Sequence, residues 1–246
     1  MELVILENIP FTPEPERLIE RLGFGSMGAM AGELAALIEQ AERVARPRAC
    51  YTLFEVEKTG ERTVSIGGRE FDSRILRVNL EQAGRAALFI ATCGVELERW
   101  AESYEDLLLR WVAEELCEEA LRAARSAVEQ ALAPRLAGPH RVSMNPGSLE
   151  DWPLTQQAPL FEALGGAGAL IGVELTESCL MRPRKSLSGI SYGSAAAFEN
   201  CLLCPREDCR GRRMKFDAGL FAELYQGAKH GGLYAESCSC GHDSKS

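Results

Sequence analysis

Ala87-Leu88-Phe89-Ile90-Ala91 is a short, uninterrupted apolar run that Thr92-Cys93-Gly94 brings to a close. A run of this length without a polar residue reads as a strand buried at the centre of a sheet. The segments around it are rich in β-branched and aromatic residues: Cys50 to Val56, Thr63 to Ile66 and Ile75 to Val78, with Gly60 and Gly67-Gly68 at turns. Leu3 to Leu6 opens the chain as a further short strand. Ile171 to Leu175 and Ser186 to Tyr192 add two more in the last third.

Helices bracket these strands. Pro13-Glu14-Pro15-Glu16 starts one that runs through Leu22, with proline and acids in its first turn. Gly23-Phe24-Gly25-Ser26-Met27-Gly28 has the spacing of a dinucleotide fingerprint but follows a helix instead of a strand, so it reads as a glycine cap and turn. Ala29 to Ala45 forms a second helix on Leu34, Leu37, Ile38 and Ala41. Val95 to Leu132 is helical with a break near Ser103-Tyr104, and Pro134 stops it. Within it Leu108, Val112, Leu116, Ala120 and Ala124 form an apolar stripe, with Glu114, Glu115, Glu118 and Glu119 expected in water. Ser143 to Ser148 is a turn-rich loop and Thr155 to Leu164 a short helix. Strands arrive in runs instead of alternating strictly with helices, which defines an α+β fold over a doubly wound parallel sheet.

The 246 residues carry a net charge of −9, which argues against nucleic acid as a partner. No apolar run approaches the roughly 20 residues that span a bilayer, and the N-terminus lacks the basic flank of a signal peptide, so a cytoplasmic protein without a membrane partner is expected. The charge is uneven. Between Arg182 and Lys215 lie eight basic residues and three acidic ones, a local basic patch suited to an anionic molecule or an acidic protein surface, or else simply a solvated face.

Gly172-Val173-Glu174-Leu175-Thr176-Glu177-Ser178, followed by Met181-x-Pro183 and Ser186-Leu187-Ser188-Gly189, resembles the core signature of the activation domain of cobalamin-dependent methionine synthase. Pro146-Gly147 and Asp151-Trp152-Pro153-Leu154 resemble the Pro-Gly loop of stand-alone members of that family. The opening strand, the helix ending in Leu-Gly-aromatic and Ala91-Thr92-Cys93-Gly94 fit the same layout. The resemblance covers most of residues 1–192, and residues 143–190 are its most specific stretch. It implies a twisted antiparallel sheet edged by helices, and a role in keeping a corrinoid protein active. In that family, S-adenosylmethionine binds beside the corrinoid, an external electron reduces inactive cobalt, and methylation traps the product.

Carried onto this chain, the resemblance names Arg141, Pro146, Gly147, Glu177, Ser188, Gly189 and Tyr192 as candidate cofactor-contacting residues. Glu177 reads either as a polar site residue or as a buried carboxylate satisfied by backbone amides. The family's loop has an arginine before its Pro-Gly and a tyrosine just after it, both holding S-adenosylmethionine. Ser143 and Ser148 stand at those positions here, and Arg141 is displaced by two residues. Loss of a bidentate carboxylate donor and an aromatic wall predicts a weakened S-adenosylmethionine site.

Five of the nine cysteines fall in the last 46 residues. Cys201, Cys204 and Cys209 form C-x2-C-x4-C, and Cys238-Ser239-Cys240 with His242 follows. Thiols of a cytosolic chain stay reduced, so clustered cysteines there are metal ligands or redox groups more often than disulfides. A two-residue gap lets two thiolates converge on one metal. A 4Fe–4S cluster and structural zinc both take such ligands, with Cys238 or Cys240 as the fourth, and the spacing alone does not separate them. The need of a corrinoid system for an electron, and Arg206, Arg210, Arg212 and Arg213 near the thiolates, favour the cluster. Cys50, Cys93, Cys117 and Cys179 are expected as small core residues, and His140, His230 and His242 are too scattered for a catalytic set.

The resulting expectation is an activation-domain-like α+β domain at 1–195 and a Cys-rich metal-binding extension at 196–246. Its role would be that of an accessory redox protein that docks on a corrinoid protein and takes electrons from a donor protein. The alternative is a zinc-stabilised docking module without redox activity.

Overall fold

The computed structural model describes residues 2–23, 31–195, 197–209 and 212–226. The strands are β1 (Leu3–Leu6), β2 (Arg48–Lys58), β3 (Thr63–Ile66), β4 (Arg69–Asp72), β5 (Arg85–Thr92), β6 (His140–Met144), β7 (Glu174–Leu175), β8 (Met181–Arg182) and β9 (Ser186–Ser194). The helices are α1 (Pro15–Leu22), α2 (Ala31–Val44), α3 (Arg74–Asn79), α4 (Val95–Glu102), α5 (Leu107–Leu132), α6 (Gln157–Ala163), α7 (Ala167–Leu170) and α8 (Ala218–Gln226). One antiparallel sheet runs in the order β4-β3-β2-β5-β9-β6, with β1 also pairing β2, while β7 and β8 form a separate hairpin.

The apolar run is the middle of this sheet. β5 lies between β2 (Arg48↔Thr92 to Glu55↔Arg85) and β9 (Ala86↔Tyr192 to Thr92↔Ser186), and every residue after Arg85 is buried. Side chains alternate across a strand, so its two faces enter different cores. Ala87, Phe89 and Ala91 meet Ala124, Val128 and Leu132 of α5. Leu88 and Ile90 enter a larger core with Phe71, Trp152, Leu160, Ile190 and Tyr192. The N-terminal half of α5 leaves the sheet to pack with α1, α2 and α4.

Local chemistry sets several boundaries. Asp106 caps α5 by accepting the N–H groups of Leu108 and Leu109, both at 2.9 Å, which makes the expected break after α4. Gly23 ends α1 in the left-handed conformation, as the cap reading anticipated, while residues 24–28 of that glycine motif lie outside the described residues.

Four local expectations are corrected. Ile75 to Val78 is helical within α3, because Ser73 caps it through Leu76 N–H at 3.0 Å and this outweighs β-branched propensity; the strand lies earlier, at β4. Only Glu174 and Leu175 of the expected Ile171–Leu175 strand are extended, since Ile171 closes α7. Leu108 is 39% exposed, and Glu114, Glu115, Glu118 and Glu119 are half-buried, paired with Arg184, Arg21, Lys185 and Arg122. Cys179 is half-buried at a turn with positive φ, whereas Cys50, Cys93 and Cys117 are core residues as expected. No described helix is long and apolar enough to cross a membrane.

Candidate functional site

Where β6 ends, the chain turns through the Pro-Gly loop, which is tied down on three sides. Asn145 donates its side-chain amide to the carbonyl of Ser188 on β9 at 2.8 Å. Gly147, at φ +81°, gives its N–H to the carbonyl of Trp152 at 2.7 Å, and Trp152 N–H returns to Leu149 at 3.1 Å. Only glycine takes that φ without strain, so Gly147 closes the loop on itself. Asp151 then accepts from Ser73 Oγ (2.7 Å), Ile75 N–H (2.9 Å) and Arg62 (3.1 Å), clamping the loop to α3. Burial works against the charge on Arg62, but Asp151 and Asp72 outweigh it and hold the guanidinium pKa above its usual value. The Asp-Trp-Pro-Leu motif is thus an anchor, with Trp152 fully buried beneath it.

The β7–β8 hairpin carries the signature segment. Thr176 Oγ1 accepts Leu180 N–H at 3.0 Å and shapes its tip. Buried Gln157 connects this tip to the sheet, donating to the Cys179 carbonyl and accepting from Ser188 Oγ, each at 2.9 Å. Glu177 is exposed at the tip, so the reading of a buried, amide-satisfied carboxylate is corrected.

The other expected cofactor residues scatter. Ser188 is buried with its hydroxyl on Gln157, and a Cβ on Gly189 would sit 2.5 Å from the Met144 carbonyl, so the first ties β9 to α6 and the second serves the closeness of β9 to the end of β6. Tyr192 is fully buried, its hydroxyl against Met144 Sδ at 3.6 Å. Arg141 spends its guanidinium on the carbonyls of Gly138 (2.9 Å) and Ala133 at the end of α5. Of the seven, Gly147 alone lines the cleft described next.

Beyond β9, Phe198 and Leu203 enter the same core as Trp152, so the described part of the cysteine segment is packed on the domain it follows. A short 3-10 helix (Asn200–Leu203) carries Cys201. Arg212 reaches into the loop and donates to the carbonyls of Cys201 (3.3 Å), Cys204 (3.0 Å), Met214 (3.1 Å) and Arg206. Arg213 N–H points at Cys201 Sγ, 3.4 Å away. Partial burial raises the Cys201 thiol, but the N–H groups of Arg213 and Met214 and the Arg213 charge outweigh it, leaving its pKa below the ordinary value. An N–H···S contact of this kind suits a cysteine that ligates a metal. Among the described residues no three Cys, His, Asp or Glu side chains are grouped to hold an ion; Cys238, Cys240, His230, His242 and Arg210 lie outside them.

The Pro-Gly loop and the cysteine loop face each other across an open cleft of about 420 Å³. Gly147, Ser148, Leu149 and Leu154 line one wall, and Leu203, Cys204, Arg206 and Phe221 the other. That volume is in the range of small-molecule sites, roughly 300–1,000 Å³. Sequence reasoning found both loops but not their apposition, which depends on the anchoring of Leu203 and Phe198. Nor did it find Gln157, whose only sequence signal is a polar residue at a helix start. Three of the eight basic residues of the patch are ion-paired: Arg184 with Glu98, Glu102 and Glu114, Lys185 with Glu118, and Arg213 with Glu199.

An open antiparallel sheet flanked by helices, with a Pro-Gly loop at its β6 edge, defines the fold class. The MetH reactivation domain, in its crystal structure bound to AdoHcy, is similar in fold: the TM-score is 0.57 at 16% identity, covering 81% of this chain and 80% of that one. No protein-family model matches the chain. No curated protein matches it either.

Proposed function

We propose that this chain is an accessory protein of a corrinoid-dependent methyl-transfer system. It docks on a corrinoid protein in the cytoplasm and supports the reductive return of its cobalt to the working state. The observation that carries this reading is the cleft, in which a Pro-Gly loop on a reactivation-domain fold is faced by a cysteine loop. Cys201, Cys204, Cys209 and either Cys238 or Cys240 would hold a 4Fe–4S cluster. When bound, such a cluster supplies one-electron chemistry, replenished by a donor protein. The chain's own residues do the holding. Arg212 sets the loop's shape, the N–H of Arg213 stabilises the Cys201 thiolate, and Leu203 fixes the loop to the core.

A second reading has its own observation. Ser143 and Ser148 stand where the family holds S-adenosylmethionine, and the Arg141 guanidinium is bound to the end of α5. A zinc-stabilised docking module is consistent with that loss.

Metal and acid-labile sulfide analysis of anaerobically purified protein separates the two. Iron with sulfide, and absorption near about 400 nm that dithionite bleaches, is expected. Stoichiometric zinc without sulfide overturns the redox reading. Docking is tested at the exposed hairpin tip, because Ser188 and Gly189 are interior. Glu177→Lys with Leu180→Asp is expected to weaken binding of a purified corrinoid protein at least tenfold, and unchanged binding would remove that face from the interface.

A further inference from the structure

A second pocket, of about 130 Å³, lies between α4, α5 and the turn that joins β8 to β9. Glu98 and Ala101 of α4, Glu114 and Cys117 of α5, and Arg184 and Lys185 of the turn line it. Arg184 pairs with Glu98 and Glu114 across it, so two carboxylates face two cations and a neutral molecule meets no net charge. The volume has room for several molecules the size of water.

Cys117 lines this pocket, and Cys93 belongs to the same core at the corner between β5 and α4, where it is fully buried. Both sulfurs rest on carbonyls of the start of α4: Cys93 Sγ is 3.5 Å from Gly94 O, and Cys117 Sγ is 3.7 Å from Leu97 O. The two thiols also meet. The Cys93 S–H donates to the Cys117 sulfur, and this bond, ahead of burial, holds the Cys93 pKa above its ordinary value. Core packing accounts for a small buried thiol but does not require two of them to touch. One thiol that keeps its proton, beside a second that lines a pocket, is the arrangement of a resolving and an attacking cysteine.

We propose that Cys93 and Cys117 are a reversible dithiol–disulfide site, with a small neutral hydroperoxide as the oxidant that the pocket admits. The Cys117 sulfur attacks one peroxide oxygen, the O–O bond breaks, and water leaves with the Cys117 proton, so that a sulfenic acid remains. The Cys93 sulfur then attacks the Cys117 sulfur, the S–O bond breaks, and the hydroxyl departs as water with the Cys93 proton. Two thiols give up two electrons, and hydrogen peroxide becomes two waters. A dithiol reductant reverses the reaction. The link would tie the end of β5 to the middle of α5 beneath the turn that leads from the hairpin, since Cys93 N–H holds the Lys185 carbonyl at 3.0 Å. It uses no part of the cleft and does not depend on the corrinoid reading.

The test exposes the reduced full chain to hydrogen peroxide or to oxidised glutathione, blocks the remaining thiols under denaturation and maps peptides by mass spectrometry. Hydrogen peroxide is expected to give a linked Cys93–Cys117 peptide pair that dithiothreitol releases, while Cys50, buried in the sheet, stays reduced. Oxidised glutathione, bulky and anionic, is expected to give at least about tenfold less of the link. Cys93→Ala should leave Cys117 as a sulfenic acid that dimedone traps, and Cys117→Ala should leave Cys93 unoxidised; circular dichroism checks the fold of both. Absence of the linked pair in the wild-type chain at doses that oxidise Cys201 would overturn the proposal. A link that forms only when Cys50 is oxidised too, or equally with both oxidants, would also overturn it.

Discussion

The centre of the sheet and its rim are held together by different forces. At the centre, β2, β5 and β9 meet α5 through small and apolar side chains such as Ala49, Ala87, Phe89, Ala124 and Val128. At the rim, the Pro-Gly loop, the hairpin and the cysteine loop are positioned by single polar connectors: Asp151, Asn145, Gln157 and Arg212. Close packing tolerates conservative exchange, whereas a lone buried connector leaves its partners unsatisfied when removed. The loops around the cleft are therefore specified by a few polar connectors in addition to the seating of Trp152, Phe198 and Leu203, and the scaffold beneath them by volume.

Thiol reactivity gives the largest contrast. Burial pushes the Cys50 thiol up to about 12, and contact with Cys117 together with burial raises Cys93 as well, whereas Cys201 lies below its ordinary value. In metal-free, reduced protein at neutral pH, iodoacetamide is expected to modify Cys201 about a thousandfold faster than Cys50, read by peptide mass spectrometry. Comparable rates would break the distinction. Next in size, Asp151→Ala leaves Arg62, Ser73 and Ile75 N–H without their acceptor, and a loss of about 2–3 kcal/mol in urea unfolding is expected. Gln157→Leu is expected to lose about 1–2 kcal/mol and to raise amide exchange at Cys179–Leu180. Ile90→Val at the centre should lose about 0.5–1.5 kcal/mol with no local change in exchange. The smallest effect is electrostatic. Burial raises the Glu96 pKa, but the Arg48 hydrogen bond and the nearby positive charges outweigh it, so the folded value lies below the unfolded one. This contribution is present above the unfolded value and is lost as pH falls through the folded one. Acid titration of stability should show a small decline below about pH 4 that Glu96→Gln removes.

Legibility followed the same division. The apolar run in β5, the periodicity of α5 and the strand at β9 were readable because each rests on a pattern carried within its own segment. The four glutamates of α5 were misjudged because their cations come from α1, from the β8–β9 turn and from one turn further along α5. Ile75 and Val78 carry strand propensity, yet Ser73 and Asp151 supply the start of a helix, and Asp151 is remote in sequence. Within the candidate site, both loops announced themselves through Pro146-Gly147 and Cys201-x2-Cys204. Their apposition did not, because it depends on where Phe198 and Leu203 seat in the core. The resemblance names Arg141 and Tyr192, but the fold turns one to a helix end and the other inward.

The clasp made by Arg212 has a consequence for how such a protein is built in a cell. Its planar fork spans the carbonyls of Cys201, Cys204, Arg206 and Met214, a brace that lysine's single ammonium does not reproduce. The contour between the first two thiols is then written in protein alone. For the metal centre proposed above, the turn from Cys201 to Cys204 is set by the protein's own hydrogen bonds, so loading would have only to gather the remaining ligands.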